Sequence, residues 1–447
     1  MGLLRLLNPR SITSRLIFLG FVATLTLLLY TFASPSLRLP AVPSFFPQRI
    51  RASCSPQAWN DGKWVYDLEL RLRNMTMSTP RDALVFAGME GCAADREYNW
   101  HLGADRPDMW DRFPNVTSWR WQPTEECHVR PLDGAAMAKD LVENGGWLLL
   151  GDSITEGHFF SLSCLLYPHV RATPNYTENP YFDRAWAQNL YLSPTSPLIP
   201  HLSFPEGFSV EETPLVTFRR LDLLYSQQEL RDLHRELHPG VYEQNPSFQL
   251  FSEEQTWSLS PTEYLPELFS DAAHTHYTTL IVSTAGHWTT TLFHGYRDES
   301  ISEDEGYGIY GLLSFFEEAM ESWATDVQRY FDTHRGGETR QVVVRAYLPG
   351  HEDCHNRNEP WTEYKEFDWK WYNWFWIRDY NRIFQKVLSS PKYPDIHFLG
   401  IDRPASLRPD AHATGDCLHI MTGAGVLEGW SHYIWHFVTR ELPGRIR

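Results

Sequence analysis

From about residue 141 the chain alternates short, wholly apolar runs with longer stretches in which apolar residues recur every three or four positions. The runs at 147–151, 278–284, 341–347 and 395–400 predict buried strands, and the spacing at 156–166, 309–333, 369–389 and 426–440 predicts helices. Strand then helix, repeated, predicts an α/β fold on a doubly wound parallel sheet with helices on both faces, whose sites form beyond the strands' carboxyl ends. The insert from 168 to 275 is too irregular to assign.

The first run breaks at Gly151-Asp152-Ser153, after which Phe159, Phe160, Leu162 and Leu165 fall at helical spacing. Ser153 is therefore expected where a strand meets a helix. Such a junction exposes a hydroxyl and aims the free N–H groups of the first helical turn at whatever binds there, as an acyl-transfer nucleophile needs. A Gly-Asp-Ser turn is also an ordinary helix cap, so the chemistry needs a base from elsewhere. Asp416 and His419, three positions apart, offer one: the carboxylate orients an imidazole whose other nitrogen is left for Ser153. His412 competes with His419 for that role, and the spacing of Asp416 favours His419. After the second strand, Ala285-Gly286-His287-Trp288 lets the backbone approach an acyl group at Gly286, a candidate oxyanion donor, with His287, Trp288 and Asp152 expected to line the site.

The amino-terminal pattern is different. Residues 1–15 carry Arg5, Arg10 and Arg15 and no acid, and 16–33 are uncharged, which predicts a cytosolic tail and a transmembrane signal anchor. A cleaved signal peptide ending near Phe32-Ala33-Ser34 is the alternative. Prolines at 35, 40, 43 and 47 make 34–50 an extended stem, and 51–140 reads as a loop-rich, cysteine-containing lead-in to a catalytic domain over 141–447. Six cysteines suit disulfides in an oxidising compartment, with 15 pairings possible. Sequons at Asn74, Asn115 and Asn175 fit the same compartment, whereas Asn245 is excluded by its following proline.

The formal charge of −17, with no basic run beyond the first residues, argues against nucleic acid as a partner. Neutral substrates are easier to reconcile with it. Eighteen tryptophans could offer platforms for sugar rings, but Trp371 and Trp374, with Arg378, fall at packing intervals on an expected helix from 368 to 388, which favours core packing. His351-Glu352-Asp353-Cys354-His355 offers metal-type ligands, but Cys354 is more simply half of a disulfide, so no metal is expected.

Taken in order, Cys54, Gly62-Lys63-Trp64-Val65-x-Asp67, Trp119-Arg120-Trp121-x-Pro123, Cys127, Gly151-Asp152-Ser153, Gly286-His287-Trp288, Arg408-x-Asp410-x-His412 and Asp416-Cys417-x-His419 resemble the trichome-birefringence-like, or PC-esterase, proteins of the SGNH/GDSL superfamily. The likeness runs from about 54 to 435. It implies an SGNH-like fold and a Golgi type II membrane protein that places acetyl groups on polysaccharide hydroxyls, with Ser153 as nucleophile and Asp416 and His419 completing a triad. No cofactor is implied; the acyl donor would be acetyl-CoA or an acetylated intermediate. Two positions depart from the family's pattern: Glu156 stands where an arginine is usual, and Thr284 where an asparagine is. Gly-Asp-Ser-Ile-Thr-Glu-Gly also resembles the serine motif of secreted SGNH esterases, which keeps hydrolysis open beside transfer. A wall-organising, glycan-binding protein with an inactive site is the reading outside enzymes.

Overall fold

The apolar run at 147–151 becomes the centre of a seven-stranded sheet. The computed structural model describes residues 19–26, 53–67, 76–174, 187–270, 274–334, 336, 339–366 and 371–442. In the lead-in, β1 (Lys63–Tyr66) and β2 (Trp119–Gln122) form an antiparallel pair. The main sheet comprises β3 (Gly146–Gly151), β4 (Val170–Thr173), β5 (Gln188–Leu192), β6 (Pro214–Arg220), β7 (Tyr277–Ser283), β8 (Gln341–Arg345) and β9 (Ile396–Leu399), in the order β4-β5-β6-β3-β7-β8-β9.

Strands β6, β3, β7, β8 and β9 run parallel, and β5 and β4 add an antiparallel hairpin beside β6. Along the chain β3 comes first, yet β6 pairs on one side of it and β7 on the other. The direction of winding reverses there, which opens a crevice beyond the carboxyl ends of these three strands. Leu148, Leu149 and Leu150 are fully buried, because a central parallel strand is covered on both faces and reads as a continuous apolar run.

The strands and helices expected from the pattern are present, with boundaries shifted by a few residues. The helix expected at 156–166 begins at Ser153 (Ser153–Leu165), Ile309–Thr333 matches its expected span, and Val426–His436 continues as a π turn through Glu441. Helices form two packed groups, Ser153–Leu165 with Val426–His436, and Ile309–Thr333 with Ile377–Leu388.

The helix expected at 369–389 is a correction. Residues Trp371–Trp376 form a 3₁₀ segment broken by left-handed backbone at Tyr372 (φ 53°) and Asn373 (φ 56°), and the α-helix starts only at Ile377. Asn373 explains the break: its buried amide accepts from Thr290 N (2.7 Å) and donates to Gly306 O (3.0 Å). Trp374 and Arg378 therefore do not share one helical stripe.

The insert left unassigned from 168 to 275 supplies β4, β5 and β6. Cysteines pair as Cys54–Cys127, Cys92–Cys164 and Cys354–Cys417. The second bond fastens the lead-in to the end of the serine helix. Ala52–Arg447 form one compact unit that includes the lead-in, and Met1–Arg51 form another. Within the latter, 19–26 are helical, with Leu19, Phe21, Val22 and Leu25 exposed. The rest of the expected 16–33 anchor and the stem lie outside the described residues. Among the described residues no helix is long and apolar enough to cross a membrane.

Candidate active site

Ser153 is the first residue of its helix because Asp152 caps it. The Asp152 backbone is extended (φ −81°, ψ −159°), and its side chain accepts from Ile154 N at 3.0 Å. Gly151 makes the turn possible: a Cβ there would collide with Thr155 Oγ1 and the Ser283 carbonyl. The serine hydroxyl thus stands beyond the end of β3, where the topology opens the crevice.

Asp416 and His419 come from the loop ahead of the last helix. His419 Nε2 lies 2.7 Å from Ser153 Oγ, and His419 Nδ1 lies 2.7 Å from Asp416 Oδ2. The other Asp416 oxygen accepts from the N–H groups of Leu418 and His419, both at 2.8 Å, which fixes the carboxylate on a single turn. Burial pushes the Asp416 pKa up, but the hydrogen bonds and charge of His419 and the backbone N–H groups prevail and hold it at about 2. With Asp416 ionised, Nδ1 carries the proton and Nε2 is free to accept from the Ser153 hydroxyl. The Cys354–Cys417 bond, whose Cys417 carbonyl accepts from His351 N at 2.8 Å, ties the loop down from outside. Because both sulfurs are in that bond, neither is a thiolate ligand for a metal beside His355.

Ser153 and His419 open on a cleft of about 670 Å³ lined also by Trp100, His101, Asp105, Glu156 and Arg220. Trp100 sets its edge against the His419 ring, with centroids 5.2 Å apart. His101 stacks on Phe160 at 4.4 Å, and burial lowers its pKa to about 3, so it stays neutral beside His419. Glu156 is buried and paired, in an ion pair with Arg96 (2.9 Å) and accepting from Gln188 (2.8 Å).

The remaining expected residues divide. Gly286 abuts Asp152 and Tyr347: an added Cβ would overlap the Tyr347 hydroxyl and come 3.3 Å from Asp152 Oδ2. His287 reaches Asp222, Nε2 to Oδ1 at 3.2 Å. Trp288 is a correction: it is buried, stacked on Phe293 at 4.5 Å and edge-on to Phe316 at 4.7 Å, so it supports the loop from behind rather than lining the site. His412, the competing base, is bonded instead to His351 (2.7 Å) and the His419 carbonyl (3.2 Å). Arg408 and Asp410 form a buried ion pair, with the guanidinium also donating to Val116 O at 2.6 Å; their motif joins the lead-in to the carboxyl-terminal loop. Asn115 donates to Asn358 O at 2.5 Å, while Asn74 and Asn175 lie outside the described residues.

The sequence pattern missed Tyr347, Asp222, Arg220 and the lead-in wall. Tyr347 lies just beyond β8 and donates to Asp152 Oδ2 at 2.7 Å, so its position near a strand's carboxyl end was the available signal. Asp222 and Arg220 sit at the end of β6, on the unassigned insert; burial raises the Asp222 pKa against the pull of His287 and Arg220.

A hydroxyl, an imidazole and a carboxylate stand in one hydrogen-bonded line, an arrangement in which an imidazole can take a serine's proton while a carboxylate orients it. Comparison with the models of known protein families and with curated proteins gives no match.

Proposed function

We propose that this chain is an SGNH-type serine O-acyltransferase of the trichome-birefringence-like kind, which moves acetyl groups onto polysaccharide or glycan hydroxyls. The observation that carries the reading is the pair of 2.7 Å contacts joining Ser153 to His419 and His419 to Asp416. Ser153 Oγ attacks the carbonyl carbon of an ester or thioester donor as His419 Nε2 takes its proton. The carbonyl electron pair moves onto oxygen, then returns as the bond to the leaving group breaks and His419 protonates that group. A sugar hydroxyl, activated by the same imidazole, then takes the acetyl group from Ser153.

The three disulfides and the uncharged 16–33 segment support placement in the Golgi or another secretory-pathway lumen, anchored as a type II protein. The open cleft favours a second reading, an acetylesterase, because water reaches an acyl-enzyme there unless a bound acceptor displaces it. A fluorophosphonate probe tests the common core: it labels the wild type and not Ser153→Ala, and equal labelling of both removes Ser153 as nucleophile. Acetate release in water without an acceptor then indicates esterase, and mass gain on an acceptor sugar indicates transferase. Glycan binding with no reaction and no labelling indicates a binding module.

A further inference from the structure

We infer that Arg220 is a catalytic residue that donates to the oxyanion formed at Ser153, an assignment resting on the serine acyl chemistry proposed above. Arg220 is the last residue of β6 and pairs in register with Gly151, two residues before the serine. It lines the cleft with Ser153 and His419, yet it is only 5% exposed.

Its surroundings leave one edge of the guanidinium unused. Nε has a single long contact, 3.4 Å to Asp222 Oδ1, and that oxygen is shared with His287 at 3.2 Å. The other Asp222 oxygen accepts from Trp257 N at 2.9 Å. Trp257 also covers the guanidinium, Cζ lying 4.4 Å from its ring centroid. Among the described residues Nη1 is buried without a hydrogen-bond partner. A buried N–H left unpaired is costly, and the cost is recovered when an acceptor arrives.

The backbone beside it has nothing to offer. The N–H of Leu221 goes to Gly151 O at 2.8 Å, and those of Asp222 and Leu223 go to Trp257 O at 2.7 and 3.4 Å. The end of β6 therefore has no free main-chain donor for the crevice, and the Arg220 side chain is its donor. The acids lining the cleft, Glu97, Asp105 and Glu156, disfavour a standing anionic ligand. They leave the transient negative charge on the carbonyl oxygen, present only while that carbon is tetrahedral, as the matching partner. Arg220 transfers no proton in this step; it holds the oxygen until the electron pair returns and the leaving group departs with the proton from His419.

The test is turnover of p-nitrophenyl acetate and the rate of fluorophosphonate labelling by wild type, Ser153→Ala, Arg220→Gln and Arg220→Lys, with urea midpoints for each. Labelling of wild type and not Ser153→Ala establishes the chemistry. On that footing, Arg220→Gln lowers kcat roughly 100- to 1,000-fold with little change in KM, and Arg220→Lys recovers part of the loss. A folded Arg220→Gln with unchanged kcat, or with only a raised KM, overturns the assignment while leaving the serine chemistry standing. An unlabelled wild type overturns both. Should the variants unfold, a crystal structure of the phosphonylated wild type decides: the phosphonyl oxygen lies about 3 Å from Arg220 Nη1, and an oxygen held only by backbone N–H groups refutes the assignment.

Discussion

Tyr347 donates its phenolic hydroxyl to Asp152 Oδ2 at 2.7 Å, so the residue that caps the serine helix is itself held from the end of β8. Asp152 is buried, and its second oxygen is committed to Ile154 N. Tyr347→Phe removes a donor to a buried carboxylate. Unfolding in urea is expected to show a loss of roughly 1.5–3 kcal/mol. A midpoint equal to wild type means the hydroxyl holds nothing.

Asp416 fixes the tautomer of His419, and its carboxylate is held at about 2. Asp416→Asn keeps the shape but can donate to Nδ1, which turns the proton toward Ser153. Fluorophosphonate labelling is expected to slow by roughly three to four orders of magnitude. Because the folded pKa lies below the ordinary carboxylate value of 3.8, the carboxylate's contribution to stability is present above that pH and is lost only as pH falls toward about 2. Asp416 therefore predicts no loss of stability at pH 4 to 5.

Glu156 and Arg96 form an ion pair in which both side chains are almost wholly covered, 6% and 10% exposed. Glu156→Leu alone strands a buried guanidinium and is expected to cost about 3–5 kcal/mol. Replacing both, Arg96→Met with Glu156→Leu, is expected to cost less than the single change. A double variant that is less stable than the single one contradicts the pairing.

The origin of acid sensitivity is a set of buried histidines. Burial lowers His101 to about 3 and His351 to about 4, and drives His158 and His412 well below their usual value. Each has a folded pKa below the unfolded value of about 6.5, so in that window the unfolded chain binds more protons. Stability is full above about pH 6.5 and falls as the pH drops toward 4, with a slope approaching about 1.4 kcal/mol per pH unit for each histidine. Urea midpoints at pH 7, 6 and 5 check this, and a flat profile refutes it.

The strand–Gly-Asp-Ser–helix junction and the Asp416/His419 spacing were legible because each is local: a buried run, a turn and a cap lie within a few residues. Strand β6 was not: Thr217, Arg219 and Arg220 interrupt the apolar run of Leu215, Val216 and Phe218, and it borders the antiparallel hairpin of β4 and β5, whose positions are half-buried. With it went Arg220 and Asp222. Trp288 and Asn373 failed for a different reason. Glycine and aromatic neighbours placed Trp288 near the site, but whether the indole faces the cleft or Phe293 is decided by a helix more than 20 residues later. At Asn373 a side-chain bond to Thr290 overrides the helical periodicity of its own segment. Such long-range contacts leave no periodic trace.

Trp100 and His419, whose rings meet edge to face in the wall of the cleft, are separated by most of the folded unit. During synthesis the wall carrying Trp100 emerges more than 300 residues before the imidazole it touches. On the serine chemistry proposed above, Ser153 thus emerges long before its base, and a chain cut short before residue 416 is expected to be inert toward a fluorophosphonate however well its sheet has formed.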